Sequence, residues 1–87
     1  MNVKNKIVTI ILAYNEEKYI KTAIQSAKKI SNQVYVVDSF SKDKTVKICK
    51  SLGAKIIKHK FINHSKQFNW AMKKINPTNK WVLRLDA

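Results

Sequence analysis

Glycine, proline and cysteine each occur once in this chain of 87 residues, and five acidic residues face eighteen basic ones. Each scarcity excludes something. A dinucleotide-binding turn needs glycines directly after the first strand, so that backbone can approach a pyrophosphate. The stretch here is Tyr14-Asn15-Glu16-Glu17, with no glycine, and a Walker phosphate loop is excluded for the same reason. The lone Cys49 rules out an internal disulfide framework and fits a reducing compartment. His59 and His64 lack ligand-like spacing with a second Cys or His, so zinc is not expected. The longest apolar run, 7–14, is too short to span a bilayer, and Met1-Asn2-Val3-Lys4 does not lead into a signal peptide. A cytoplasmic chain is expected.

What is abundant is lysine. The net charge is +13, and Arg84 is the only arginine. Such a surface suits polyanions, either nucleic acid or the anionic face of a membrane. However, the lysines are spread over every predicted helix instead of forming one block. A dedicated nucleic-acid binder usually shows arginine forks and exposed aromatics for base stacking. The favoured reading is a solvated basic surface with no specific nucleic-acid partner. A basic binding module for nucleic acid or anionic membrane is the alternative.

A hydrophobic fraction of 45% is ordinary for a folded domain. A chain this short buries about two-thirds of its unfolded surface, which leaves room for one domain at most. Its pattern alternates. "KIVTIILAY" reads as a strand buried on both faces. Ile20, Ala23, Ile24 and Ala27 then form one helical stripe, with Asn15 as the expected N-cap and Glu16 and Glu17 at the positive end of the helix dipole. "QVYVVD" is the second strand. Ser41 is the expected cap of a second helix, with Asp43 in its first turn and Thr45, Ile48, Cys49 and Leu52 on its inner face. Gly53 falls where a left-handed C-cap is needed. "AKIIKH" is a third strand. A third helix carries Phe68, Ala71, Met72 and Ile75 on one face and stops at Asn76-Pro77. "WVLRL" is the fourth strand. The expected fold class is α/β: βαβαβαβ, with a parallel sheet and helices on both faces.

Ligands of open parallel sheets bind beyond the carboxyl ends of the strands. That rim should hold Ala13, Tyr14 and Glu16 from the first strand, Asp38 from the second, His59 after the third and Asp86 from the fourth. An aromatic ring suits a base, one carboxylate suits base or ribose, and another suits a divalent metal on a diphosphate. Each residue also has a plainer role. Tyr14 alone is ordinary half-buried packing, Glu16 complements a helix dipole, and Asp38 is a common strand-end turn residue. Asp86 alone means little. The set says more than its members. Cys49 is read as core.

The ordered stretches "VTIILAYNEEKYI", "VYVVDSFSKDKTVKI", "GAKII", "SKQFNWAM" and "WVLRLDA" resemble the start of a family 2 glycosyltransferase. They look most like the branch that includes lipopolysaccharide-core glucosyltransferases. The resemblance implies the Rossmann-like half of a GT-A fold, with strand order 3-2-1-4. It implies sugar transfer from a nucleotide-diphosphate donor to a hydroxyl of a saccharide or lipid-linked acceptor, with Mg²⁺ or Mn²⁺, in cell-envelope polysaccharide or lipopolysaccharide synthesis. Location in the cytoplasm or against the inner face of the plasma membrane goes with that role. Carried over by motif, Ala13, Tyr14 and Glu16 line the nucleotide pocket. Asp38 contacts the base, and Asp86 is the first acid of a DxD motif and a metal ligand. Two departures stand out: Ser39 replaces a frequent second Asp, and Phe68 replaces a frequent Arg before Asn69. Lys66 is a substitute cation for the diphosphate.

The resemblance spans 1–87 as one nucleotide-sugar-binding part that stops within the DxD motif. The expectation is therefore an incomplete, catalytically inactive fragment, with no catalytic residue of its own and the general base beyond its end. An open outer edge on the fourth strand predicts poor solubility. A receiver-type α/β domain fits less well, since it needs an acidic cluster after the first strand and an Asp after the third.

Overall fold

The structure is a computed structural model that describes residues 6–77 and 81–86. The reading of Met1-Asn2-Val3-Lys4 and the final Ala87 lie outside the described residues. The elements are β1 (Ile7–Ala13), α1 (Ile20–Ile30), β2 (Gln33–Asp38), α2 (Thr45–Ser51), β3 (Lys55–Lys58), α3 (His64–Ile75) and β4 (Trp81–Asp86). All strand pairings are parallel, in the order β3-β2-β1-β4. The expected α/β architecture and strand order are therefore both met.

β1 lacks polar alternation because both its faces are covered. Ile11 and Ala13 pack with Ile20, Ile24 and Ala27 of α1, with Val34 and Val36 of β2, and with Cys49 of α2. Val8, Ile10 and Leu12 point the other way, to Val37 and to Ala71 of α3. Each fully buried Val or Ile contributes about 1.5–3 kcal/mol relative to exposure, so these two small cores carry the domain. Cys49 is core as expected. Burial, and secondarily the Asp38 carboxylate, push its thiol up to about 11. One polar atom in this interior has no partner among the described residues, the Thr9 hydroxyl.

Two expected caps are corrected. α1 begins at Ile20, with Tyr19 in the cap position and no side-chain cap. A turn comes first, in which the Glu16 carbonyl accepts from the Tyr19 and Ile20 amides at 3.0 and 2.8 Å. Asn15 is instead left-handed, with φ 50°, and its side-chain oxygen accepts from the Lys42 amide at 2.8 Å. Asn tolerates that conformation, which bends the chain off the buried strand before the helix starts. Ser41 likewise does not cap α2, and Asp43 precedes that helix instead of lying in its first turn.

The other stops hold. Gly53, after α2, has φ 77°. α3 starts on Asn63, whose side chain accepts from the Lys66 amide at 2.8 Å, and ends on left-handed Asn76 before Pro77. β4 is an edge strand, and Trp81 and Leu83 are exposed on it.

Candidate functional site

The strand register brings the predicted residues to one level. Ala13 pairs with Asp38, Asp38 with Lys58, and Leu12 with Asp86. Above this rim lies a cleft of about 390 Å³. Leu12, Ala13, Tyr14 and Glu16 line it from β1 and the loop after it, and Asp86 lines it from β4. Ser39, Phe61 and His64 complete the wall. Tyr14 is 52% exposed, so its ring face is available to a ligand. The Asp86 side chain is 51% exposed and meets the Arg84 guanidinium at 3.5 Å. Such an exposed pair contributes little and leaves the carboxylate free to bind.

Two parallel relays fix the loop that carries Tyr14 and Glu16. In the first, the Asp38 carboxylate accepts from the Ser41 hydroxyl, and from the Ser41 amide at 2.9 Å. The Ser41 oxygen then accepts from the Asn15 amide at 2.9 Å. In the second, Asp43 Oδ1 accepts from the Thr45 hydroxyl at 2.5 Å, and Thr45 Oγ1 accepts from the Glu16 amide at 2.8 Å. Asp43 Oδ2 also accepts from the Glu17 amide at 3.2 Å.

Three successive amides after β1 are thus satisfied by side chains of the β2–α2 loop and of the first residue of α2. In a glycine-rich turn the same amides would cradle a phosphate. Here two hydroxyls and the Asp43 carboxylate take them, so these three amides are not available to an anion.

Three predicted residues are not in the cleft wall. Asp38 is fully buried beneath it, with both carboxylate oxygens engaged by Ser41. Lys66 is exposed on the first turn of α3 and does not line the cleft. His59 also stays out of the wall, stacked on Trp70 at 3.8 Å between ring centres.

Sequence reasoning missed Phe61, His64 and the part played by Gln67. Gln67 is buried, and its Nε2 donates to the Ser39 hydroxyl at 3.0 Å. Its Oε1 lies 2.6 Å from His59 Nδ1, which therefore carries the proton in this bond. The signal was present: Gln67 precedes Ala71 by four residues, on the inner face of the helix.

Among the described residues no group of three or more His, Cys, Asp or Glu side chains could hold a metal. Mg²⁺ and Mn²⁺ do not need such a cage. They commonly take one or two carboxylates and complete their shell with phosphate and water. The exposed Asp86 carboxylate at the cleft fits a single protein ligand of that kind.

Comparison with known proteins gives the family and the fold. The sequence profile described as Glycosyl transferase family 2 matches residues 8–87. An uncharacterized glycosyltransferase of Rickettsia typhi is 44% identical over 82 residues, covering 94% of this chain and 27% of the relative. The SPbeta prophage-derived glycosyltransferase SunS of Bacillus subtilis is 35% identical over 79 residues, covering 88% of this chain and 18% of the relative. The chain thus spans about a quarter or less of the length of these relatives. Among solved structures, glucosyl-3-phosphoglycerate synthase of Mycobacterium tuberculosis superposes with a TM-score of 0.73 at 20% identity, over 94% of this chain and 33% of that one. It was crystallised with Mn²⁺, UDP and glucosyl-3-phosphoglycerate, and also with Mn²⁺, UDP-glucose and phosphoglyceric acid. The superposition establishes the shared fold, and the profile match establishes the family: this chain belongs to glycosyltransferase family 2.

Proposed function

We propose that the chain forms the donor-binding part of a glycosyltransferase that moves a sugar from a nucleotide diphosphate to an acceptor hydroxyl. The observation that carries this reading is a cleft in which Tyr14, Glu16 and Asp86 meet, from opposite ends of the sequence. Tyr14 stacks on the base and Glu16 takes hydrogen bonds from the nucleoside. Asp38 supports the base end from beneath, through the Ser41 relay. Asp86 holds Mg²⁺ or Mn²⁺ against the diphosphate. The filled turn after β1 gives the metal its importance, because the Asn15, Glu16 and Glu17 amides are already taken by side chains and do not neutralise phosphate. When bound, the metal stabilises the charge that builds on the leaving diphosphate. A saccharide or lipid-linked acceptor in cell-envelope polysaccharide or lipopolysaccharide synthesis completes the reading. The transfer itself is proposed for a protein of the relatives' length, with the 87 residues as its donor-binding part.

The test is titration of the protein with UDP, with and without Mn²⁺. Base–aromatic stacking contributes about 1–3 kcal/mol, so Tyr14→Ala should weaken UDP by roughly ten-fold or more. Asp86→Asn should abolish the gain from Mn²⁺. Binding that ignores both substitutions and falls steeply with salt would favour the basic-module alternative instead.

A further inference from the structure

The acids of this chain are unevenly placed. Glu16, Glu17, Asp38 and Asp43 belong to the first half, and no acid occurs between Asp43 and Asp86. The half built from α2, β3 and α3 is therefore cationic throughout. Within it, the loop from β3 to α3 exposes two adjacent large apolar side chains, Phe61 at 44% and Ile62 at 59%. Exposed Lys58, Lys60 and Lys66 flank them in sequence. The loop is pinned at its far end by the Asn63 cap, and Phe61 is braced edge-on against His64 at 5.2 Å. Water is a poor solvent for this pair, and no polar role accounts for Ile62.

We propose that this loop is a membrane-docking surface: Ile62 and Phe61 enter the interface of an anionic bilayer while Lys58, Lys60 and Lys66 pair with its headgroups. Apolar tips with basic flanks are how interfacial segments bind. Buried apolar area supplies one part of the affinity, and attraction to anionic lipid supplies the other. The charge complementarity is one-sided, since no acid within the segment opposes it. Nucleic acid would use the lysines but has no use for an exposed isoleucine. Among the described residues no helix is long and apolar enough to cross a membrane, so contact would be peripheral. Phe61 also lines the cleft, which sets the mouth of the site beside the bilayer. The proposal rests on the lipid-linked acceptor of the preceding section for its purpose, but binding is measured without donor or acceptor.

The experiment is co-sedimentation of the protein with phosphatidylglycerol–phosphatidylcholine vesicles and with pure phosphatidylcholine vesicles. Each lysine at an anionic surface is worth about five-fold in partitioning, so the triple variant Lys58→Gln, Lys60→Gln, Lys66→Gln should lose on the order of a hundred-fold. The control variant Lys21→Gln, Lys29→Gln, Lys47→Gln removes equal charge from α1 and α2 and should lose far less. Ile62→Ser should weaken binding at constant charge. Insertion is read directly with an environment-sensitive dye on Ile62→Cys, which labels selectively because Cys49 is buried. A blue shift with anionic vesicles is expected. Equal losses for the two triple variants, or an Ile62→Ser protein that binds as before, would overturn the proposal. So would RNA binding that depends on the same lysines while vesicles are ignored. UDP titration of the Ile62→Ser variant keeps the two readings apart, since Ile62 is outside the cleft and donor binding should be unchanged.

Discussion

Thr45 Oγ1 accepts the backbone amide of Glu16 at 2.8 Å, across 29 positions of sequence. Thr45 is fully buried, and the bond ties the loop after β1 to the first residue of α2. Glu16 lines the cleft, and the hydroxyl therefore fixes the height of a residue in its wall.

Thr45→Val keeps the shape and removes the hydroxyl. The Glu16 amide and Asp43 Oδ1 each lose a partner, and an unmade bond of this kind costs about 1–3 kcal/mol. Urea unfolding should show that loss, and UDP binding should weaken with it. Thr45→Ser retains donor and acceptor and should restore most of both. A Thr45→Val protein that matches the wild type while Thr45→Ser is weakened would mean that the methyl group, not the relay, is what matters.

Asp43 should make the fold sensitive to acid. Desolvation pushes its carboxyl up, but hydrogen bonds from the Thr45 hydroxyl and from the Thr45 and Glu17 amides outweigh it, holding it below its ordinary 3.8. The charged form is thus favoured by folding. The stabilisation is fully present above about pH 3.8, the unfolded value, and is lost as pH falls through the lower folded value. The urea midpoint of the wild-type protein should drop in that window. In Asp43→Asn the midpoint should be lower at neutral pH and flatter below it.

The buried Thr9 hydroxyl offers the opposite case. It lies in the middle of β1, without a partner among the described residues. Thr9→Val removes the unpaired group and keeps the volume, so it should stabilise the fold by about 1 kcal/mol. The thermal midpoint should rise by several degrees for a domain of this size. A lower midpoint would show that the hydroxyl has a partner in solution.

The fold was legible where packing repeats. β1 is apolar throughout because two layers cover it, and α1 and α3 show their inner faces as helical stripes. The loops were not legible in the same way. Asn15, Ser41 and Asp43 have side chains that cap helices, and local reading assigns them to the nearest one. Each also bonds to the opposite loop, over separations of 26 and 27 residues that no local pattern reports. That Tyr14, Glu16 and Asp86 line one cleft could be expected because strand ends of a parallel sheet must share a rim. Asp38 was placed on that rim correctly, but its depth depends on Ser41 folding back over it. Phe61 and His64 sit in a loop and at a helix start, where neither periodicity nor topology gives direction.

Gln67 shows how a helix residue can act on the site without lining it. Its side chain is buried and spans from the Ser39 hydroxyl in the cleft wall to the His59 ring stacked on Trp70. Gln67→Leu keeps roughly the same bulk but supplies neither bond. Ser39 loses its anchor and His59 Nδ1 loses its acceptor, so stability should fall by about 1–3 kcal/mol. A structural role alone would end there. A positioning role predicts in addition that UDP affinity, measured well below the melting point, falls several-fold. Ser39→Ala should give a similar drop in affinity with a smaller loss of stability, because it removes the wall hydroxyl and leaves the His59 bond in place. If Gln67→Leu binds UDP as the wild type does once both are fully folded, the side chain is packing and Ser39 is positioned by its backbone alone.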